Sequence, residues 1–334
     1  MFLQPFLPEF NIGGRLMKTK NAAQVTDKKN AKEFLKADLR DIKMNKGLYL
    51  MFIPVLLFYL LFCYKPMGGL LIAFENYSAT KGIFGSPWVG LTHFKTFLQN
   101  PYFWRLMRNT LVISISNLIF GFPAPIILAL LLNELSSKRF QRGIQLVAYL
   151  PHFISIIVIC GLITKFTADT GVINNFLSLF GAERVSYLNY PKYFVPIYVI
   201  SGIWTDVGWS SIIYFAALTG IDKQLYEAAV IDGANRWKQT IHVTIPGIMS
   251  TIVIMFILQI GSLLNLGYEK IILLYNPITY ETADVITTYV YRKGIAEGSF
   301  SFSTAVGLFN SVLNFILLII ANRLSRKTGE GSLW

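Results

Sequence analysis

Residues 220–246 form a polar island between two long apolar runs, and their spacing points to mechanical work rather than bond chemistry. Glu227-Ala228-Ala229 is followed by Asp232-Gly233 and then by Pro246. Asp222 can cap a short helix through Tyr226 to Ile231, because its carboxylate accepts from free first-turn N–H groups. Two alanines keep one face of that helix small, so a partner's cleft can close on it around Glu227. Gly233 permits a sharp turn into a second short helix, and Pro246 marks the break before the next apolar run. An ordinary solvated loop is the plainer reading of a bare Glu-Ala-Ala, and the full spacing to Gly233 and Pro246 argues against it.

A second set of residues suits recognition of a hydroxyl-rich ligand. Gln259, Ser262, Asn265 and Glu269 fall on about a third of the circumference if residues 247–268 form one helix. Ser303, Gly307, Asn310 and Asn314 make a narrower stripe, as do Ser114, Asn117 and Gly121, and Trp204, Asp206, Trp209 and Ser211 lie in another apolar run. Amides and hydroxyls bond sugar hydroxyls, and flat indole rings stack on sugar C–H groups. The competing role is helix-to-helix glue, in which small and amide residues let neighbouring helices approach and bond. Asp206 is ionisable inside an apolar run, which marks it as a pathway residue or half of a buried pair. No Gly-x-x-x-x-Gly-Lys-Ser/Thr phosphate loop, Gly-x-Ser-x-Gly elbow or paired-carboxylate cluster accompanies these residues. His93, His152 and His242 are scattered without metal-ligand spacing.

The elements that must carry these residues are membrane helices. The chain is 54% hydrophobic and only 14% charged, too apolar for a soluble domain of 334 residues. Six stretches reach the roughly 20 residues a helical span requires, at about 48–66, 109–132, 144–166, 193–219, 247–268 and 304–322. Nineteen of the thirty Lys and Arg residues fall on the side that holds both termini and the Glu227 loop, which predicts that this side is cytoplasmic. The same rule accounts for the net charge of +12 without nucleic acid. The outer side carries eleven basic and seven acidic residues, a bias too small to define a charged ligand. No cleavable signal is apparent, so the first span is expected to remain in the protein. Residues 34–46 have the spacing of a helix lying on the inner leaflet or of a plainly solvated one. Cys63 and Cys160 fall within expected spans, as small apolar residues rather than a disulfide or metal pair.

The Glu227 pattern resembles the cytoplasmic loop of membrane subunits of binding-protein-dependent ATP-driven importers, with Ile245 where Leu is usual before Pro246. Gly121-Phe122-Pro123-Ala124-Pro125, Tyr149-Leu150-Pro151-His152-Phe153, Leu273-Leu274-Tyr275-Asn276-Pro277, Tyr280 to Val285 and Gly331-Ser332-Leu333-Trp334 extend the likeness over roughly residues 40–334. Together they are similar to the permeases of polysaccharide and oligosaccharide importers. The resemblance implies an all-α type I importer transmembrane domain of six helices with a cytoplasmic coupling helix. It also implies a second homologous permease, two ATP-binding subunits and an extracytoplasmic solute-binding protein in the bacterial cytoplasmic membrane. ATP and magnesium would sit on the ATPases, leaving this chain no cofactor, metal or catalytic residue of its own. Its oligosaccharide would move by alternating access. The expected organisation is a cytoplasmic segment at 1–47, a permease domain at 48–324 with its coupling loop at 220–246, and a cytoplasmic tail at 325–334. Coupling would fall to Glu227, Ala228, Ala229, Asp232, Gly233 and Pro246, and the substrate path to Gln259, Asn265, Asn310, Asn314, Trp204, Asp206 and Trp209. The rivals are an importer of the same fold for a non-sugar solute, and an ion-coupled secondary transporter, for which no internal repeat is apparent.

Overall fold

A computed structural model describes residues 44–328. The expected inner-leaflet helix, up to residue 43, and the Gly331-Ser332-Leu333-Trp334 motif lie outside the described residues. The chain divides into two units, residues 1–68 and 69–334. The described part of the first is a helix, α1 (Lys46–Phe74), that runs on past Gly68 and is apolar around its whole circumference. Such a helix suits lipid or protein on any side.

The second unit is built of helices because a chain in hydrocarbon must satisfy its backbone N–H and C=O groups within itself. Its principal helices are α2 (Phe103–Asn133), α3 (Lys138–Tyr149), α4 (Ile156–Ser178, with a turn near Gly171) and α5 (Pro191–Thr219). They continue as α6 (Lys223–Ile231), α7 (Arg236–Gly247), α8 (Met249–Gly261), α9 (Tyr268–Leu274), α10 (Ile286–Tyr291) and α11 (Phe300–Thr328). Among the described residues, α1, α2, α4 and α11 are long and apolar enough to cross a membrane, and α7 with α8 makes a fifth candidate bent by 62°. α5 is as long, at 29 residues, but less apolar because it carries Lys192, Thr205, Asp206, Ser210 and Ser211. Each of the six expected spans thus contains a helix.

Two of them differ from expectation. The third begins at Ile156 rather than near 144, because residues 138–149 form the separate amphipathic α3 and Pro151 follows in a tight turn. Gln141 of α3 is buried and donates to the Leu132 carbonyl at the end of α2. The fifth ends at Gly261, so Gln259, Ser262, Asn265 and Glu269 do not share one continuous helix. The non-helical stretch from Ser262 to Gly267 has its exposed backbone groups claimed by other spans. Ser114 donates to the Leu263 carbonyl at 2.6 Å, Asn310 Nδ2 donates to the Leu264 carbonyl at 3.3 Å, and Asn314 Oδ1 accepts from the Leu264 N–H at 2.9 Å.

Close packing of α5 depends on a glycine. A Cβ on Gly208 would overlap the Ala148 carbonyl oxygen, so only glycine lets α5 approach the end of α3. At the other end of the bundle Asp284 is fully buried between two cations. Arg292 grips it with both terminal nitrogens, at 2.8 and 3.3 Å, Arg105 lies 3.5 Å away, and the Thr288 hydroxyl donates at 2.9 Å. Burial works against the Arg292 charge, yet the Asp284 carboxylate holds that guanidinium above its ordinary pKa. This cluster ties the segment before α10 to the start of α2. Asp284→Ala should therefore cost about 3 kcal/mol by leaving two guanidiniums without their carboxylate. The midpoint of thermal unfolding of the detergent-purified protein reads this directly, and an unchanged midpoint would contradict it.

Candidate functional site

The Glu227 loop has the local geometry its residues predict. Asp222 caps α6 by accepting from the Gln224 N–H at 3.0 Å. α6 ends at Ile231, and Asp232 is its C-cap. Gly233 then adopts φ +76°, in the left-handed region that favours glycine. The Gly233 N–H reaches the Val230 carbonyl at 3.0 Å and the Ala234 N–H reaches the Ala229 carbonyl at 2.9 Å, the paired bonds of a Schellman stop. Asn235 caps α7 by accepting from the Lys238 N–H. α6 and α7 thus form a hairpin that exposes Glu227 and Ala228 and half-buries Ala229. Glu227 takes part in no ion pair among the described residues, so its carboxylate is free to meet another chain.

The hairpin is firmly joined to the helices behind it. Ile248 and Ile221 pack with Ala129 of α2, Tyr214 and Leu218 of α5 and Ile252 of α8 in one apolar cluster. Tyr226 and Thr244 share a hydrogen bond at 3.0 Å, and Arg236 pairs with Glu134 at the end of α2 at 3.2 Å. That ion pair is exposed and adds little energy. The apolar cluster carries the connection, because displacing Ile221 or Ile248 must displace three other helices. Pro246 sits at the bend between α7 and α8, where Gly247 passes so near Ile221 that a Cβ would come within 2.9 Å of it.

Five of the seven expected path residues divide between two cavities, and Trp204 and Trp209 line neither. The larger, about 860 Å³, is lined by Asn265, Asn310, Asn314, Ser262, Ser303 and Tyr291 among others. Asn310 and Asn314 hold the Leu264 peptide while lining this cavity, and the buried Asn310 Oδ1 has no partner. The smaller, about 310 Å³, lies where α2 loosens into a π-turn at Asn117–Gly121, and brings Asn117, Asp206, Gln259, Lys270 and Tyr198 together. π-turns of this kind recur at functional sites. Asp206 has a partner in His152, whose Nδ1 lies 3.2 Å from its carboxylate, and the His152 ring stacks on Trp209 at 4.7 Å. Trp204 lies on an exposed face of α5. Lys270, Tyr198 and His152 are the members that sequence reasoning did not select. A lone lysine at the head of the apolar run Ile271–Leu274 was the available signal for the first. Among the described residues no group of three His, Cys, Asp or Glu side chains could hold a metal ion.

A membrane-embedded helical bundle with an exposed polar hairpin and polar cavities defines a translocating component rather than an enzyme. Residues 121–330 match the family described as binding-protein-dependent transport system inner membrane component, and the chain belongs to that family. It is 47% identical to Protein LplB of Bacillus subtilis over 88% of this chain and 92% of the relative. It is 45% identical to the polygalacturonan/rhamnogalacturonan transport system permease protein YteP of the same organism, over 91% of this chain and 95% of the relative. Among solved structures it is similar to a chain of a bacterial ABC transporter involved in the import of the acidic polysaccharide alginate. That match has 44% identity and a TM-score of 0.80, covering 86% of this chain and 98% of the other. A second structure of an alginate transporter, in complex with an alginate pentasaccharide-bound periplasmic protein, matches at 43% identity and TM-score 0.81, over 88% and 99%. The fold is thus that of a type I ABC importer permease.

The left-handed Gly233 makes a graded test of the hairpin. Nothing lies within 4 Å of the position a Cβ would take there, so Gly233→Ala meets backbone strain alone, about 1 kcal/mol. Gly233→Asn should cost less, since asparagine tolerates this region better. Hydrogen–deuterium exchange of α6 amides should therefore rise in the order Gly, Asn, Ala, by roughly five-fold for Ala. Equal protection in all three would show that the turn does not need the left-handed residue.

Proposed function

We propose that this chain is the translocation subunit of an ATP-driven importer of oligosaccharides or polysaccharide fragments. The observation that carries the coupling role is the unpaired Glu227 on a capped hairpin whose base shares one apolar cluster with α2, α5 and α8. In this reading the hairpin faces the cytoplasm, as the distribution of Lys and Arg favours. It enters a cleft on an ATP-binding subunit, Glu227 bonds there, and Ala228 and Ala229 set the close approach. ATP and magnesium belong to that partner. Closure of two ATPases pushes the hairpin, and Ile221 and Ile248 transmit the displacement to the spans, which rock between inward-open and outward-open states. One chain offers one hairpin and an ATPase dimer offers two clefts, so a second permease completes the membrane part. An extracytoplasmic solute-binding protein delivers the cargo.

The substrate class rests on two kinds of support. Relatives along nearly the full length carry polygalacturonan, rhamnogalacturonan and alginate in their names or titles. The two cavities are lined by amides, hydroxyls and tyrosines, the groups that bond sugar hydroxyls. Gln259, Asn265, Asn310 and Asn314 would then bond hydroxyls along the path, with Trp204, Asp206 and Trp209 on the α5 side.

The direct test of coupling is Glu227→Ala. The variant should insert and fold, yet lose ATPase subunits during purification and fall about ten-fold in uptake, the effect of one charge-assisted bond. Normal ATPase retention together with normal uptake would remove Glu227 from the coupling role.

A further inference from the structure

The smaller cavity holds a lysine that makes no ion pair, although the carboxylate of Asp206 lines the same cavity. Lys270, at the start of α9, donates from Nζ to the Tyr198 carbonyl at 3.0 Å and stands over the Tyr198 ring with its nitrogen 4.6 Å from the centroid. It joins none of the ion pairs among the described residues. An ammonium has three N–H donors, and one carbonyl and a ring face leave part of that capacity unused. The carboxylate in the same cavity, Asp206, is bonded to His152 at 3.2 Å and to the Thr205 hydroxyl at 3.2 Å. Asp206 acts on Lys270 through space without bonding it, so N–H donors of the ammonium remain for a ligand.

The surroundings of Lys270 leave room for such a ligand. Gly202 lies beside it, and a Cβ there would come within 3.4 Å of Nζ and 4.0 Å of Asn117 Oδ1. Bare backbone at this point keeps the space next to the ammonium open. Asn117 and Gln259 supply amides on the walls of the same cavity. At about 310 Å³ the space sits at the lower end of the range of small-molecule sites, roughly 300–1,000 Å³. It suits one monosaccharide unit at a time rather than a whole oligomer.

We propose that Lys270 is a specificity-determining residue, which bonds the carboxylate of a uronate unit while Asn117 and Gln259 bond its hydroxyls, so that the path favours acidic over neutral sugars. A carboxylate placed there makes a charge-assisted hydrogen bond to the Lys270 donors that the Tyr198 carbonyl leaves unused. A neutral sugar offers Lys270 only an ordinary hydrogen bond, which is weaker. The inference rests on the oligosaccharide reading above.

The test uses the complete importer in proteoliposomes, with binding protein saturated by one of two probes, trigalacturonate or its fully methyl-esterified counterpart. The readout is the ratio of acid to ester uptake. Lys270→Met keeps the length of the side chain and removes its charge, and should lower this ratio about ten-fold. Lys270→Arg keeps the charge and should hold the ratio within about two-fold of the wild type. If Lys270→Met lowers both uptakes equally and leaves the ratio unchanged, Lys270 only packs α9 against α5 and the proposal is overturned. If the wild-type importer takes up neither probe but carries a non-sugar solute, the oligosaccharide reading fails first and this proposal falls with it.

Discussion

The rule that no backbone group may go unbonded in hydrocarbon governs this molecule, and the Leu264 peptide shows how. α8 stops at Gly261, and the chain runs without helical bonds until α9. Two asparagines of α11 clamp the Leu264 N–H and carbonyl, and Ser114 of α2 takes the Leu263 carbonyl. A broken span is thereby tolerated, because non-helical backbone at membrane depth is allowed only where protein or water satisfies it. The break in turn frees Asn265 and brings Lys270 back toward α5, so both polar cavities owe their shape to it.

The same residues reconcile two roles that seemed to compete. Asn310 and Asn314 hold the Leu264 peptide and at the same time line the larger cavity. Structural glue and a polar lining are then two faces of one side chain. The hairpin follows a related economy. Its turn is set by Gly233, its ends by Asp222 and Asn235, and its link to the spans by Ile221 and Ile248. Glu227 is left with no structural duty among the described residues, which is the condition for a residue that works on another chain.

Much of this was legible in the sequence, for physical reasons that differ by element. The hairpin could be read because caps, a left-handed glycine and a proline are local signals that act within a few residues. Apolar length revealed the helical spans, though not where the third begins, since the amphipathic α3 and the turn at Pro151 merge with it in a hydropathy average. The stripe from Gln259 to Glu269 assumed an unbroken helix, and the break at Gly261 is enforced from a distance by Asn310 and Asn314. The role of Lys270 was hidden for a similar reason, since a lysine heading an apolar run was its only signal. Its environment is made by Tyr198, Gly202 and Asn117, which lie on other helices and far away in the chain.

In the proposed mechanism, force reaches the spans through the hairpin from ATP hydrolysed on partner chains. Its most direct test is the energy source of uptake, measured in proteoliposomes that contain this chain, its partner permease and the ATPases, with labelled oligosaccharide and binding protein outside the vesicle lumen that holds the nucleotide. The account predicts uptake only when both hydrolysable ATP and binding protein are present, with no response to an imposed proton or sodium gradient. Uptake driven by an ion gradient in the absence of ATP would contradict it.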